Sequence, residues 1–308
     1  MSGAKKRPDV ETIGRRLDDL NMWDALLPYN FAVKPRGTVF PYFCTVLKGD
    51  GKPVKARLLM LEGWQTMHDF VRTRVDNDFG FYSSPIEFPH FELIAVSDGA
   101  PSVYRDDPGY LPRELKPGDP QRDLVAKILW EAYGVFLRVE GDPALPLKFA
   151  EERAVFARVE GADGAWSDEP LAIPDPAPHK EVISFPKELL KAAKDLPFVA
   201  DDALELDFRM LAGVMTQEER PRCAYELLAL DGKTGETAFQ GRVSVSAEAT
   251  LRTLWESMPA QVLHALVKRG KVPGAIRVRS GRVFRMLRPL CLDFPFKLSL
   301  HDSLEHLK

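Results

Sequence analysis

The sequence predicts an α+β protein built from two mixed-sheet domains with helices packed on the sheets. Apolar runs joined by Asp-Gly turns predict β-hairpins, and apolar residues at helical spacing between them predict helices. The proline-rich stretch Pro174 to Pro178 predicts a stiff linker. We therefore place an N-terminal domain at residues 1–178 and a C-terminal domain at residues 179–308, each long enough for its own core.

The N-terminal half begins with an amphipathic helix, since Val10, Ile13 and Leu17 open an apolar series at helical spacing that runs over residues 9–27 and ends before Pro28. The elements predicted after it are a hairpin of Val39–Leu47 and Val54–Leu61 turning on Gly49-Asp50-Gly51-Lys52, a short helix from Trp64 to Val71, a buried strand at Phe91–Val96, a long loop over 100–120, a helix over 121–139, and a hairpin from Ala154 to Ile173 turning on Ala162-Asp163-Gly164.

The C-terminal half has a similar order. Its predicted elements are a helix near 186–195, a strand at Leu204–Leu211, a hairpin of Cys223–Leu230 and Glu236–Val245 turning on Asp231-Gly232-Lys233, a helix from Ser246 that Pro259 restarts and Gly270 ends, a strand at Ala275–Arg279, a helix at Arg282–Cys291, a strand at Pro295–Leu300 and a terminal helix from Ser303. In the first strand Leu204, Leu206, Phe208 and Met210 should face inward, and Glu205, Asp207 and Arg209 outward.

The order of the C-terminal elements resembles the ribonuclease H-like fold, in which three antiparallel strands lead a mixed sheet covered by helices. This resemblance covers about residues 203–308 and rests on element order. Both halves carry an Asp-Gly-Lys hairpin turn, so an internal duplication of a ribonuclease H-like unit is one interpretation, and independent use of a common turn is the other. The overall pattern, with its hairpin ending at Pro174 and its closing Pro273-x-x-Ile-Arg-Val run, is similar to a tandem two-domain bacterial family of unknown function, which implies no activity.

A ribonuclease H-like nuclease needs carboxylates from distant elements that together hold two Mg²⁺ ions. Asp207 lies in the middle of the first C-terminal strand, and Asp302 or Glu305 could supply a carboxylate near the end of the chain. The fourth strand of that half ends in Arg277 to Gly281, with arginine or serine where a carboxylate is needed. The simpler interpretation of Asp207 is a solvated side chain on an edge strand.

The N-terminal half has the reverse pattern, with Asp98 after a strand but no carboxylate in the first strand, Asn30–Lys34. Neither half carries a full catalytic set, so we expect a protein without catalysis. His301 and His306 are five residues apart and do not share a helix face as a metal-binding pair would. The sequence also has no phosphate-binding glycine loop and no dinucleotide motif, so no metal site and no cofactor are expected.

The composition indicates a soluble, cytoplasmic protein. No apolar run approaches the length of a membrane span, and Met1 to Val10 is basic and polar with no apolar region behind it. The three cysteines lie far apart, which predicts reduced thiols without a disulfide or zinc framework. We expect no membrane partner, and the sequence does not predict an oligomeric state.

The distribution of charge gives the main functional hypothesis. Eight basic residues and no acidic residue lie between Glu256 and Asp293, in a chain of net charge −3. Alternation places Arg277 and Arg279 on one face of a strand, and the following helix carries arginines at i, i+3 and i+6, namely Arg282, Arg285 and Arg288. Arginine binds phosphates and carboxylates bidentately, so these five residues predict an anion-binding surface for nucleic acid or an acidic protein surface.

Two structural explanations of the arginines remain open, a solvated helix face and pairing with the acidic N-terminal half. The sequence therefore predicts a binding or regulatory module. The alternatives are a metal-dependent nuclease that uses Asp207 with Asp302 or Glu305, and a structural partner of another protein.

Overall fold

The computed structural model describes residues 9–19, 31–48, 54–75, 88–97, 99–176, 183, 185–214, 221–246 and 251–307. These residues form helices and two mixed sheets, which confirms the predicted α+β class with two sheet domains. The chain divides into two compact units, the first of Met1–Val71, Ile86–Pro108 and Pro112–Ala177, the second of Arg72–Pro85, Gly109–Leu111 and Pro178–Lys308. Within the described ranges, no helix is long and apolar enough to cross a membrane.

The first unit is built on an eight-stranded sheet with the order β6-β5-β4-β3-β2-β1-β7-β8. Its elements are α1 (Val10–Asp19), β1 (Phe31–Lys34), β2 (Tyr42–Lys48), β3 (Val54–Glu62), α2 (Gly63–Val75), β4 (His90–Val96), β5 (Ser102–Asp106), β6 (Arg113–Glu114), α3 (Arg122–Gly141), β7 (Ala154–Glu160) and β8 (Trp166–Ala172). Strands β1 to β6 pair antiparallel in sequence order, β7 pairs parallel with β1, and β8 pairs antiparallel with β7.

Apolar side chains cover both faces of the first sheet around β1 to β3. On one face, helices α1 and α3 share a core with residues such as Tyr42 and Cys44 of β2. On the other face, the ring of Phe43 lies 4.6 Å from that of Trp64 in α2. A strand covered on both sides carries apolar residues at successive positions, which is why Phe31, Ala32 and Val33 are all buried.

Most elements predicted for the first half are confirmed, and one is wrong. The first helix is described only to Asp19, and residues 20–30 and the turn at 49–53 lie outside the described residues. The predicted loop over 100–120 is wrong, because β5 pairs with β4 and β6 pairs with β5. Val103 of β5 is buried in the core, so the stretch carries a strand in spite of its proline and glycine content.

The second unit is built on a five-stranded sheet with the order β11-β10-β9-β12-β13. Its elements are α4 (Lys187–Lys194), β9 (Phe198–Val214), β10 (Cys223–Asp231), β11 (Thr237–Ser244), α5 (Leu251–Arg269), β12 (Val272–Val278), α6 (Gly281–Leu287) and β13 (Lys297–Leu300). Strands β9, β10 and β11 are antiparallel, whereas β12 runs parallel to β9 and β13 runs parallel to β12. Strand β9 is therefore the central strand.

The helices of the second unit pack on one face of its sheet. Leu204, Leu206 and Phe208 of β9 and Ile276 and Val278 of β12 share a core with residues of α4, α5 and α6. Because side chains alternate along a strand, the residues between them belong to the opposite face. We call it the polar face and define it by residues Glu205, Asp207, Arg209, Glu226, Gln240, Arg242, Arg277 and Arg279.

Three details of the second half differ from the prediction. Helix α5 runs through Pro259 without a restart, and residues 247–250 before it lie outside the described residues. The helix predicted over Arg282–Cys291 ends at Leu287 and continues as a 3₁₀ helix over Arg288–Leu292, which contains a proline. The terminal helix predicted from Ser303 is wrong, since residues 301–307 have no regular structure.

Candidate functional site on the polar face

Three buried carboxylates lie on the polar face of the second sheet. The side chains of Glu205 and Asp207 on β9 and Glu226 on β10 are 1%, 5% and 3% exposed. Removing a carboxylate from water is costly unless hydrogen bonds or counter-ions compensate it. The interpretation of Asp207 as a solvated residue on an edge strand is wrong, because β9 is central and the side chain is buried.

Glu226 lies between arginines on both neighbouring strands, since Arg209 and Arg242 are its cross-strand neighbours. Arg242 Nε donates to its Oε1 at 3.1 Å, Arg209 Nη2 donates to its Oε2 at 3.4 Å, and Gln240 Nε2 also donates to Oε1. Burial acts to raise the pKa of Glu226, but the hydrogen bonds from Gln240, Arg242 and Arg209 outweigh it, so the pKa lies below its usual value. Glu226 is therefore an ionised carboxylate at neutral pH.

Asp207 and Glu205 face Arg277, near the end of β12, and Arg279, which directly follows the strand. Arg279 Nη2 donates to Asp207 Oδ2 at 2.7 Å, and Arg277 Nη1 lies 4.0 Å from Glu205 Oε1. The register explains both pairs, because Arg277 lies opposite Glu205 and Val278 opposite Leu206. Asp207, which the sequence analysis considered as a metal ligand, is thus bound by the guanidinium group of Arg279.

Residues 301–307, which we call the C-terminal strap, are held against the same sheet. Their Leu304 and Leu307 side chains are buried with Leu230 of β10. The Glu205 carboxylate accepts the backbone N–H of Glu305 at 3.1 Å and that of His306 at 2.8 Å. These backbone donors are therefore bound to Glu205, which holds the strap against β9.

The five arginines predicted as one anion-binding surface are divided between the two sides of the sheet. Arg277 and Arg279 lie on the polar face, whereas α6 must cover the apolar face with Val283, Met286 and Leu287. The prediction that all five point outward together is therefore wrong. In addition, Arg277 and Arg279 are not free of counter-ions, because Glu205 and Asp207 of the same sheet lie beside them.

The three arginines on the helical side have different surroundings. The guanidinium carbon of Arg282 lies 3.9 Å from the ring centroid of Trp255, a cation–π geometry on α5. Arg285 and Arg288 are exposed. They keep the predicted helical stripe, but on the side away from the polar face.

Among the described residues, the predicted catalytic carboxylates do not meet in one metal-binding group. In the part of the chain that the structure describes, the side chains that could jointly hold a metal ion are Glu205, Glu305 and His306, whose ligand atoms all lie within 4.8 Å of one another. Asp207 and Asp302 do not belong to this group. Asp302 is exposed at the start of the strap.

The N-terminal candidate, Asp98, lies outside the described residues. Strand β4, which precedes it, pairs with β3 and not with β1. It is β7 that runs parallel to the first strand of this unit, as β12 does in the second. The matching of Phe91–Val96 with the fourth C-terminal strand is therefore wrong.

Sequence reasoning missed Glu205 and Glu226. A signal existed, because carboxylates at alternate positions of β9 are matched by arginines at alternate positions of β12. Such complementary alternation indicates neighbouring strands once their register is known.

Comparisons with known proteins place this site within a defined domain. Residues 189–308 match a family described as a domain of unknown function, DUF6930. The match begins within α4 and includes the whole five-stranded sheet and the strap. Neither the curated proteins nor the solved structures gave a match. The chain is thus similar over its C-terminal part to a domain family for which no activity is described.

Proposed function

We propose that the second unit is a non-catalytic binding module that holds an acidic protein segment on its polar face. One observation carries the proposal. The three carboxylate side chains of this face are at most 5% exposed, whereas the four arginine side chains beside them are 35% to 56% exposed. The negative groups thus lie beneath, and the cationic groups form the accessible layer.

This layering favours anion binding although each carboxylate already has a basic neighbour. A guanidinium group has five N–H donors, and Arg279 uses Nη2 for Asp207 while Arg242 uses Nε for Glu226. The remaining donors can reach a ligand. The buried carboxylates also restrict the arginines to a few conformations, which lowers the entropy cost of binding.

An acidic protein segment fits this face better than nucleic acid. Four arginines against three carboxylates leave a small positive excess, while binding to a phosphate backbone relies on many uncompensated basic residues. The residues that define the polar face also include no aromatic ring on which a base could stack. Carboxylates of a peptide match the arginine geometry one by one.

The proposal includes a ribonuclease H-like arrangement without the nuclease chemistry. Three antiparallel strands followed by two parallel strands support the arrangement. The Arg279–Asp207 pair argues against a metal-dependent nuclease, because Arg279 already binds the carboxylate that would have to hold the metal ion, at 2.7 Å.

The test uses the full chain and a fluorescent ten-residue polyglutamate peptide, with binding followed by anisotropy at two salt concentrations. The variant R242Q/R277Q removes the two most exposed guanidinium groups of the polar face. We expect binding about tenfold weaker, since charge-assisted hydrogen bonds contribute roughly 1.5–3 kcal/mol each before screening.

The matched control is R285Q/R288Q, which removes the same charge from the helical side. It should bind the peptide as the wild type does, apart from a small long-range effect. Equal weakening in both variants, or none in R242Q/R277Q, would reject the polar face as the site. Tighter binding of a DNA oligonucleotide than of the peptide would replace the acidic protein segment with nucleic acid.

A further inference from the structure

We propose that Glu205, Glu305 and His306 form a binding site for one divalent transition-metal ion, taken as Zn²⁺, that ties the C-terminal strap to the central strand. The three side chains offer two carboxylate oxygens and one imidazole nitrogen within 4.8 Å of one another. They come from two distant parts of the second unit, β9 and the strap. A bound ion would therefore cross-link elements about 100 residues apart in the chain.

Backbone hydrogen bonds bring these ligands together. The Glu205 carboxylate binds the N–H groups of Glu305 and His306, so the two strap residues meet directly at the buried carboxylate. Buried Leu304 and Leu307 flank them and hold the strap against Leu230. The ligand positions are thus set by the fold of the strap.

The imidazole of His306 is placed by a close approach to Gly235. This glycine has a φ of +73°, and a Cβ atom there would lie 2.8 Å from His306 Nδ1. A residue with a side chain would be strained at this φ and would displace the ring. The turn after β10 therefore leaves room for the imidazole beside Glu205.

The charge of Glu205 independently favours a cation at this place. Asp207 has a guanidinium nitrogen at 2.7 Å and Glu226 has one at 3.1 Å, but the guanidinium nitrogen nearest to Glu205 among the described residues is 4.0 Å away. Glu205 is also the least exposed of the three. The nearby Glu305 adds a second carboxylate, and a cation bound between the two would offset their mutual repulsion.

The donor set suits Zn²⁺ better than Mg²⁺ or Ca²⁺. Zinc binds imidazole nitrogen and carboxylate oxygen at roughly 2.0–2.2 Å, whereas Mg²⁺ and Ca²⁺ prefer oxygen ligands alone. Each Glu205 oxygen keeps a lone pair beside the one that accepts a backbone N–H. Glu305 is exposed and His306 half-buried, so small side-chain rotations can bring their ligand atoms closer. The two backbone donors meanwhile hold the Glu205 carboxylate in place.

The test titrates the full chain with ZnCl₂ after removal of metals by a chelator, with a chromophoric chelator as competitor and hydrogen exchange of the strap as a second readout. We expect one equivalent to bind and strap exchange to slow. E305Q and H306A should each lower the affinity at least about tenfold. The controls H301A and D302N alter the same strap outside the ligand group and should bind as the wild type does.

The proposal would be overturned by a wild type that takes up no Zn²⁺ at micromolar concentration. It would also be overturned by an H306A or E305Q variant with unchanged affinity, or by controls that lose binding as the ligand variants do. Saturation by Mg²⁺ at the same concentration would also exclude an imidazole-containing site. The peptide-binding experiment can be run with a chelator present, so its result does not depend on whether the protein binds Zn²⁺.

Discussion

The two sheets share an arrangement of four strands and use it differently. In the first unit β1, β2 and β3 are antiparallel and β7 runs parallel to β1; in the second, β9, β10 and β11 are antiparallel and β12 runs parallel to β9. The first arrangement has apolar residues on both faces, and the second has apolar residues on one face and paired charges on the other.

The contrast shows where a ligand site can exist on such a sheet. Strand β1 reads Phe31-Ala32-Val33, with all three side chains buried. In β9 the apolar Leu204 and Leu206 alternate with Glu205 and Asp207. Around β1 and β2, both faces of the first sheet are therefore covered by apolar groups, whereas the central strand of the second sheet presents charged groups on the polar face. An internal duplication with β7 and β12 as counterparts is one interpretation of the shared strand arrangement, and independent use of the arrangement is the other.

The largest expected effect tests the two-sided core of the first unit. Phe43 is fully buried on the face that α2 covers, so Phe43→Ala should lower the free energy of unfolding by about 3–5 kcal/mol through lost burial and a cavity. Urea unfolding would measure the loss, and hydrogen exchange in β2 would assign it to the first unit.

The matched change on the polar face is Arg242→Ala, which truncates a side chain that is 56% exposed. It should cost less than about 1 kcal/mol, because Glu226 keeps Arg209 and Gln240. Similar losses from the two variants would mean that the faces do not differ as described.

An effect smaller than that of Phe43→Ala should appear when the pH is lowered, and it belongs to the first unit. Burial lowers the pKa of His90 to about 4, although Nδ1 bonds the carbonyl of Phe88 at 2.7 Å. Because the unfolded chain takes up its proton first, this residue reduces stability as the pH falls from about 6.5 to about 4, by on the order of 3 kcal/mol. Urea unfolding at pH 7, 5.5 and 4.5 would show it, and His90→Gln should have a flatter profile.

Two carboxyl groups also contribute to the pH dependence of stability in that experiment. Burial raises the pKa of Glu92 against the opposing effect of Arg57, so Glu92 adds stability as the pH falls. Glu226 in the second unit has a lowered pKa, so it contributes stability that is lost only as the pH falls below about 4.5. An unchanged pH profile in His90→Gln would contradict the assignment to His90.

Local elements of this fold follow from the sequence, and pairing between distant strands does not. The hairpin β10–β11 is predicted because its turn, Asp231-Gly232-Lys233, and its apolar alternation lie within one short segment. The strap is not, because Leu304 and Leu307 have helical spacing while Glu205, which binds the intervening backbone, is 100 residues away.

The candidate site could likewise be predicted only in part from the sequence, because it also depends on pairing between distant strands. Alternation in β12 places Arg277 and Arg279 on one face, as predicted, but it cannot show that β9 lies beside them with carboxylates in register. The helix that follows was assumed to continue their surface. Its position is decided by which face of the sheet needs an apolar cover, and that depends on the whole unit.

An effect smaller than that of low pH tests whether the Arg279–Asp207 pair serves binding or stability. Arg279→Met leaves Asp207 without its guanidinium partner, and because Arg279 is about one-third exposed we expect a loss of roughly 1–2 kcal/mol, below that of a fully buried pair. Asp207→Leu combined with Arg279→Met replaces both charges by apolar groups, as in the first sheet, and should recover most of the stability. A double-mutant cycle by urea unfolding measures the coupling. If the double variant regains stability but binds the acidic peptide less tightly than the wild type, the charged pair serves binding. If the double variant stays as unstable as Arg279→Met, the pair serves stability, and the two sheets differ less than proposed.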